Sequence, residues 1–516
     1  MNQLWTTGLG GKLTSITGAD GRLFVAQPDS HTVICLDAQN GKALWRFTAG
    51  GRVDSPPTIA KGVAVFGSQD GYVYALRATD GALVWRFRAA LDDQRLIAHD
   101  QLESVWPVHG STLVENGAVY VAAGRNSYFD DGISLYKLDL ITGKTLLSKH
   151  CDSRDPKTGL RMDLFKPFHG EVLPDREMPG LLPDVFSGDP NGLYLRSVAM
   201  TRNFDLIGKG KPHLFCSMGF VDDGSWERTY WLFGTHMYSG ARGWGVAHVV
   251  EPGGRIMAFD EARVFGFDDA TSKLGLSLFA AGKEPKSTGA LDVSRKAKKA
   301  AKHEKRNKTG TSGGEDDDAV RGSLSAKFAF DWRKTIGLNV RAMVLAGDTL
   351  FVAGPERFDE DAVAAELAAC RTDDAKLSPL LADAMALVEG RKGSRLWAVN
   401  KADGSKRAEC RLESGPVFDG MIAVNGRLYV ATLAGQVVCW ETTNEPGNCS
   451  RMFVSLLPSQ NHRRSNSPAG IVRNPSEYPT QPVCSLRASP SSTKSRSTNH
   501  PSNCATITTL SSETPL

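Results

Sequence analysis

The segment HTVICLDAQNGKALWRF, His31 to Phe47, returns forty residues later as GYVYALRATDGALVWRF, Gly71 to Phe87. The match has no gap: Val33 falls on Val73, Gly41 on Gly81, Trp45 on Trp85 and Phe47 on Phe87. Within each unit apolar residues alternate with polar ones, and Asp20-Gly21, Asn40-Gly41, Asp70-Gly71 and Asp80-Gly81 supply the positive φ angles that tight hairpins need. A period of this length with several strands per unit means blades of a β-propeller, because one unit cannot bury its own sheet faces and must stack on copies of itself. Trp45 and Trp85 end the fourth strand of their units and read as aromatic wedges between blades.

The repeat can be followed along the chain in order. The start, QLWTT, resembles an outermost strand with no inner strands before it, so residues 1–8, with Leu4 and Trp5, are expected to complete the last blade and close the ring. Blades follow at about 11–49, 50–90, 104–150 and 184–238. The fifth is read from VFGFDDATSKLGLSLFA aligned on VICLDAQNGKALWRFTA, with Val264 on Val33, Asp268 on Asp37 and Ser272 in place of the turn glycine. The sixth begins near Leu324 with FAFDWRK, and the seventh spans Gly415 to Trp440. The expected fold is therefore an all-β, seven-bladed propeller of four-stranded antiparallel blades over residues 1–440, or eight-bladed if the degenerate fourth unit hides another.

Three stretches break the pattern. Residues 285–322 join a Lys/Arg/His run to the acidic EDDD and are too poor in apolar residues to order, so they read as a charged disordered loop. Residues 357–390 carry apolar residues at helical spacing, a small helical insertion. Residues 441–516 are dominated by Ser, Asn, Pro, Thr and Arg and read as a disordered tail. A run rich in Pro, Asp and Gly from Cys151 to about Pro183 adds a long excursion between blades.

Composition excludes several classes. A net charge of +4, much of it in the segments outside the blades, gives no general attraction to nucleic acid. The nine cysteines form no CxxC, CxxCH or adjacent pair, which argues against zinc knuckles and covalent haem. Cys35 and Cys439 align with Ala75 and Ala398 in a small inward-facing slot. No run of apolar residues is long enough for a transmembrane helix, and MNQLWTTGLGG lacks the basic and apolar regions of a leader. Compartment therefore stays open on the residues alone.

The units resemble the pyrroloquinoline-quinone-type propeller repeat, approximately GxVYALDAxTGxxLWxF, as met by HTVICLDAQNGKALWRF, GYVYALRATDGALVWRF and ISLYKLDLITGKTLLSK. One branch of that family implies a quinone stacked on a channel tryptophan, beside a calcium ion held by acidic and amide side chains. The other, similar to the outer-membrane assembly scaffold, implies a ring without cofactor in the periplasm or cell envelope. This chain has no adjacent cysteines for a vicinal disulfide and no compact set of Glu, Asn and Asp for the metal. The resemblance thus implies a non-catalytic binding or scaffolding ring with no cofactor, a monomer meeting a protein partner or small ligand at its disc face or channel. The alternative it leaves is a quinone-dependent dehydrogenase of alcohols or sugars.

Candidate site residues come from register. Counting back from the turn glycines Gly62, Gly117 and Gly426 puts Asp54 and Ser55, His109 and Gly110, and Phe418 and Asp419 in matching slots before the innermost strands. A histidine and two carboxylates there suit acid-base chemistry if they converge, as a hydrolase or lyase would need, and tight-turn hydrogen bonding if they do not. ESVWPVHGS adds Glu103 and Trp106, the latter a stacking platform or a filler of the channel. Asp222 and Asp223, in an acidic loop, are weak candidates for calcium or simply a solvated turn.

Overall fold

A computed structural model of the protein describes residues 2–127, 129–152, 181–207, 210–216, 231–235, 252–268, 276–283, 329–357, 360–370, 374–388 and 390–441. Among the described residues, eight antiparallel sheets follow one another as blades, and a further two-stranded hairpin stands apart from them. Blade 1 comprises Ile16–Ala19, Arg22–Gln27, Thr32–Asp37 and Ala43–Thr48. Blade 2 runs from Thr58–Ala60 to Leu83–Arg88, and blade 3 from Leu113–Glu115 to Thr145–Cys151. Blades 4 and 5 show three strands each among the described residues, within Ser187–Met200 and His213–Gly254. Blade 6 runs from Ile256–Phe259 to Phe330–Thr335, and blade 7 from Ala342–Ala346 to Lys406–Leu412. Blade 8 takes Pro416–Val424, Arg427–Thr432 and Gln436–Glu441, and its outermost strand is Asn2–Gly8 from the other end of the chain, antiparallel to Gln436–Glu441.

The fold is thus an eight-bladed propeller, and the eighth blade arises where the degenerate fourth unit divides in two. Two of the sequence alignments are corrected. Val264 and Asp268 lie in Arg263–Asp268, the second strand of its sheet, whereas Val33 and Asp37 lie in a third strand. The gapless alignment was one strand out of step, because alternating apolar residues look alike on neighbouring strands of one sheet. In consequence FDWRKT does not open a blade: Phe330–Thr335 is the fourth strand of blade 6, reached after the 285–322 segment, which lies outside the described residues. Ser272 and the 441–516 tail beyond Glu441 also lie outside them. The insertion consists of helices Glu360–Ala369 and Asp374–Val388, between the second and third strands of blade 7.

Burial follows strand position. Second and third strands are buried almost throughout, while Ala43–Thr48 and Leu83–Arg88 expose most of their side chains. The apolar clusters sit between blades. One joins Phe24 and Cys35 of blade 1 to Ala64 and Phe66 of blade 2, and another joins Val73 of blade 2 to Val119 of blade 3. Others pair Leu113 with Leu193, Cys216 with Met257, Phe265 with Met343, Ala342 with Met421, and Ile16 with Ile422 across five further seams. Removal of such surface from water is the main stabilising term, and here it accrues to the seams, so each blade depends on its neighbours.

The repeat's tryptophan and glycine are explained together. Trp45 donates its indole N–H to the Ala78 carbonyl of the next blade at 3.1 Å, Trp85 to Leu140 at 3.0 Å and Trp332 to Lys401 at 3.0 Å. The rings lie on the turn glycines of those same blades: a Cβ on Gly81 would come within 2.7 Å of Trp45, and one on Gly143 within 2.6 Å of Trp85. Gly81 also has φ +74°, so the position demands glycine twice, for its backbone and for the neighbour's ring. Trp5 lies on Gly41 in the same way and carries the wedge across the seam where the chain's two ends meet. Cys35 and Cys439 are fully buried packing residues, and burial pushes the Cys35 thiol up to about 12.

Candidate functional site

Blades 2 and 3 share a polar core where the chain enters their innermost strands. Asp54 and His109 occupy the same register in adjacent blades and face each other across the seam, with His109 Nδ1 3.0 Å from Asp54 Oδ2. Gln69 Nε2 donates to the same oxygen at 2.7 Å, and the Gly110 N–H donates to Oδ1 at 2.7 Å. Ser55 Oγ accepts the Ser111 N–H at 2.6 Å, so two consecutive residues of one blade hold two main-chain donors of the next. The Asp54 and His109 side chains are 0% and 5% exposed. Burial pushes the Asp54 carboxyl up, but the His109 hydrogen bond and charge, Arg52 and the Gly110 N–H outweigh it and hold the carboxyl below its ordinary value.

Beside this pair lies a second set of charges. Glu103 is fully buried, and its two oxygens are divided between Arg52, 2.7 Å away, and Arg125, 2.9 Å away. Arg52 belongs to the entry of blade 2, Arg125 to the loop after the second strand of blade 3, and Glu103 to the hairpin Arg95–Ala98/Gln101–Ser104 between them. Three segments are thereby tied to one carboxylate.

The candidate residues thus divide. Asp54, Ser55 and His109 come together, and Trp106 lies in the chain segment just before His109. Asp419 does not join them: it is on blade 8, two blades from Asp54 around the ring, and its N–H donates to the Arg341 carbonyl at 2.8 Å. Asp222 and Asp223 lie outside the described residues. Register alone placed Asp419 in the matching slot, but a matching slot in a ring is a different place in space. Arg52, Gln69 and Arg125 carry no motif, and they join the site only because the ring brings blades 2 and 3 side by side. The hairpin was legible in principle, since RLIA and QLES alternate about the pair His99-Asp100.

The arrangement binds blades and shields its groups. An Asp–His pair can orient an imidazole for proton transfer, but the imidazole must reach a substrate, and at this burial none approaches it. A quinone held as the repeat family implies would need an open face of tryptophan. Trp106 is 3% exposed, and its indole N–H donates to the Asp130 carbonyl. A calcium ion would need carboxylate lone pairs, and those of Asp54 already receive three N–H donors. These residues therefore do not fit a quinone with its metal. Among the described residues there is no group of three or more His, Cys, Asp or Glu side chains placed to hold a metal ion, and no helix is long and apolar enough to cross a membrane.

A sequence family described as outer membrane protein assembly factor BamB matches residues 2–159. The assembly factor BamB of Burkholderia pseudomallei is 34% identical over 86 residues, 17% of this chain and 22% of its own length. That of Nitrosomonas eutropha is 29% identical over 143 residues, 27% of this chain and 30% of its own length. The matches therefore span less than a third of either relative. Among solved structures, BamB from Moraxella catarrhalis is similar at 11% identity and a TM-score of 0.34, covering 86% of this chain and 99% of that one. The quinohemoprotein alcohol dehydrogenase ADHIIG from Pseudomonas putida HK5 is similar at 14% identity and a TM-score of 0.46, covering 86% of this chain and 78% of that one. The repeats are similar to those of the pyrroloquinoline-quinone-type β-propellers, and the match to the BamB family falls on residues 2–159, the closing strand and the first three blades.

Proposed function

We propose that the ring is a non-catalytic scaffold of outer membrane protein assembly, working as a single ring in the bacterial cell envelope and meeting a protein partner on its face. One observation carries this reading: the polar groups that could have done chemistry, Asp54 and His109, are spent on joining blade 2 to blade 3, in the stretch where the likeness to assembly factors falls. Buried groups hydrogen-bonded across a seam stiffen it, and a stiff ring suits a module that presents loops at fixed spacing.

Complementation tests the proposal. The full chain, exported behind a lipoprotein leader into a bacterium lacking its own BamB, is expected to restore the abundance of outer membrane β-barrel proteins. If that abundance stays at the level of the deletion strain while the protein accumulates in the periplasm, the assembly role is wrong. The rival dehydrogenase is tested by titrating the purified chain with pyrroloquinoline quinone and calcium, since a ligand that prefers the folded state raises its melting temperature. A saturable rise that disappears in Trp106→Ala would replace the scaffold by an enzyme.

A further inference from the structure

The hairpin Arg95–Ala98/Gln101–Ser104 is held at its root far more firmly than a surface hairpin requires. Glu103 is buried between Arg52 and Arg125, and the Ser104 N–H donates to the Gln69 carbonyl at 2.7 Å. On the face turned to the ring, Leu96 stands opposite Glu103 and Ala98 opposite Gln101, whose side chain meets His31 Nε2 at 2.8 Å. The other face is inverted relative to an ordinary surface sheet. Ile97 and Leu102 are directly paired across the strands and are 81% and 59% exposed, and Leu91 is exposed just before them. Paired apolar side chains on the solvent face of an anchored hairpin mark a contact surface rather than a core.

The edge is open as well. The two-residue loop His99-Asp100 has φ of 51° and 58°, the left-handed pair of a type I′ hairpin. In such a hairpin the pairs Ala98–Gln101 and Leu96–Glu103 exchange main-chain hydrogen bonds, so the N–H and C=O of Arg95 and Ile97 point off the outer edge. Among the described residues no strand pairs with that edge. Around it, Asp92, Asp93 and Asp100 are exposed; Arg95 is engaged with Asp93 at 2.8 Å, and Arg88 lies within electrostatic reach of the same carboxylate. A cleft of about 410 Å³ adjoins the root, lined by Asp70, Tyr72, Tyr74, Arg86, Asp93 and Arg95 among others.

We propose that this hairpin is a docking strand for a partner protein, which adds an extended segment of alternating apolar and Lys or Arg residues to the open edge of Arg95–Ala98. The apolar side chains of that segment extend the Ile97–Leu102 face, and its cations meet Asp92, Asp93 and Asp100. Strand addition supplies affinity through main-chain hydrogen bonds, and the alternate side chains supply selectivity. The carboxylates select the basic sequence, since like charges set side by side repel. This inference deepens the scaffold reading and rests on it for the biological partner, but the surface itself is tested directly.

The probes are two fluorescein-labelled decapeptides, one alternating valine with lysine and one alternating valine with glutamate, titrated into the full chain and followed by anisotropy. The valine–lysine peptide is expected to bind saturably, weaken with added salt, and bind about tenfold or more tighter than the valine–glutamate peptide. Ile97→Asp and Leu102→Asp are expected to abolish binding without moving the melting temperature, because both side chains already face solvent. Equal binding of the two peptides, no binding of either, or binding that survives Ile97→Asp would overturn the proposal. So would a dimer of the wild-type chain that Ile97→Asp splits, or Ile97-dependent binding to phosphatidylcholine–phosphatidylglycerol vesicles. Loss of the surface with complementation intact removes this inference alone, whereas failed complementation with peptide binding intact removes the assembly role alone.

Discussion

The seam between blades 1 and 2 and the seam between blades 4 and 5 solve the same packing problem with different chemistry. In the first, Trp45 lies on Gly81 within an apolar cluster and donates its N–H to a neighbouring carbonyl. In the second, His213 of blade 5 stacks on Tyr194 of blade 4 at 3.8 Å between ring centroids. Its Nε2 lies 2.7 Å from the Arg196 carbonyl, and its Nδ1 lies 2.9 Å from that of Lys211. A neutral imidazole has one N–H and can donate to only one of those carbonyls, whereas an indole beside one carbonyl has no such conflict. At the blade 1–2 seam the wedge is an indole that does not titrate, whereas the blade 2–3 seam, where the motif is also kept, adds the buried Asp54–His109 pair. Where the motif decays, a titratable ring takes the wedge's place.

The comparison breaks most sharply at Trp45. Trp45→Ala empties the wedge, and a buried aromatic truncation costs about 4 kcal/mol, to be read from the denaturant midpoint of the full chain. A loss well under half of that would mean the seam does not depend on its tryptophan. Glu103→Gln comes next. It leaves Arg52 buried without its carboxylate and is expected to cost about 3 kcal/mol by the same measurement, although a neutral amide keeps the shape. An unchanged midpoint would show that the charges cluster without binding the hairpin to the ring.

The smallest effect sharpens the contrast between the seams. Burial lowers the proton affinity of His213, and the hydrogen bonds to Arg196 and Lys211 only partly restore it. The unfolded chain therefore takes up this proton first as the pH falls, and stability declines on acidification through the ordinary histidine range. Melting temperature measured from about pH 7.5 to about 5.5 should fall more steeply for the wild type than for His213→Phe. Parallel curves would show that the blade 4–5 seam does not titrate.

Sequence reading went furthest where residues repeat. The fold class, the tryptophan wedges, the turn glycines and the closing strand at Leu4 and Trp5 were legible because each blade reuses one pattern, and a pattern seen twice fixes its own register. It failed at Val264, which alternation placed one strand late, and at the fourth unit, where the sequence no longer repeats the pattern ending in WRF that marks off blades 1 and 2. Among the site residues, Asp54 and His109 could be matched by counting, but the count could not say that they touch or that Asp419 stands apart.

What the chain fixes by itself is local: strands and turn glycines follow from alternation and from positive φ. What only the ring decides is which blades become neighbours. Stacking of blade 3 on blade 2 brings Arg52, Glu103 and Arg125, or Asp54 and His109, from segments tens of residues apart to one seam, and their partners exist only there. Side-chain electrostatics depend on burial and on distances of a few ångströms, and neither is defined until the blades have stacked.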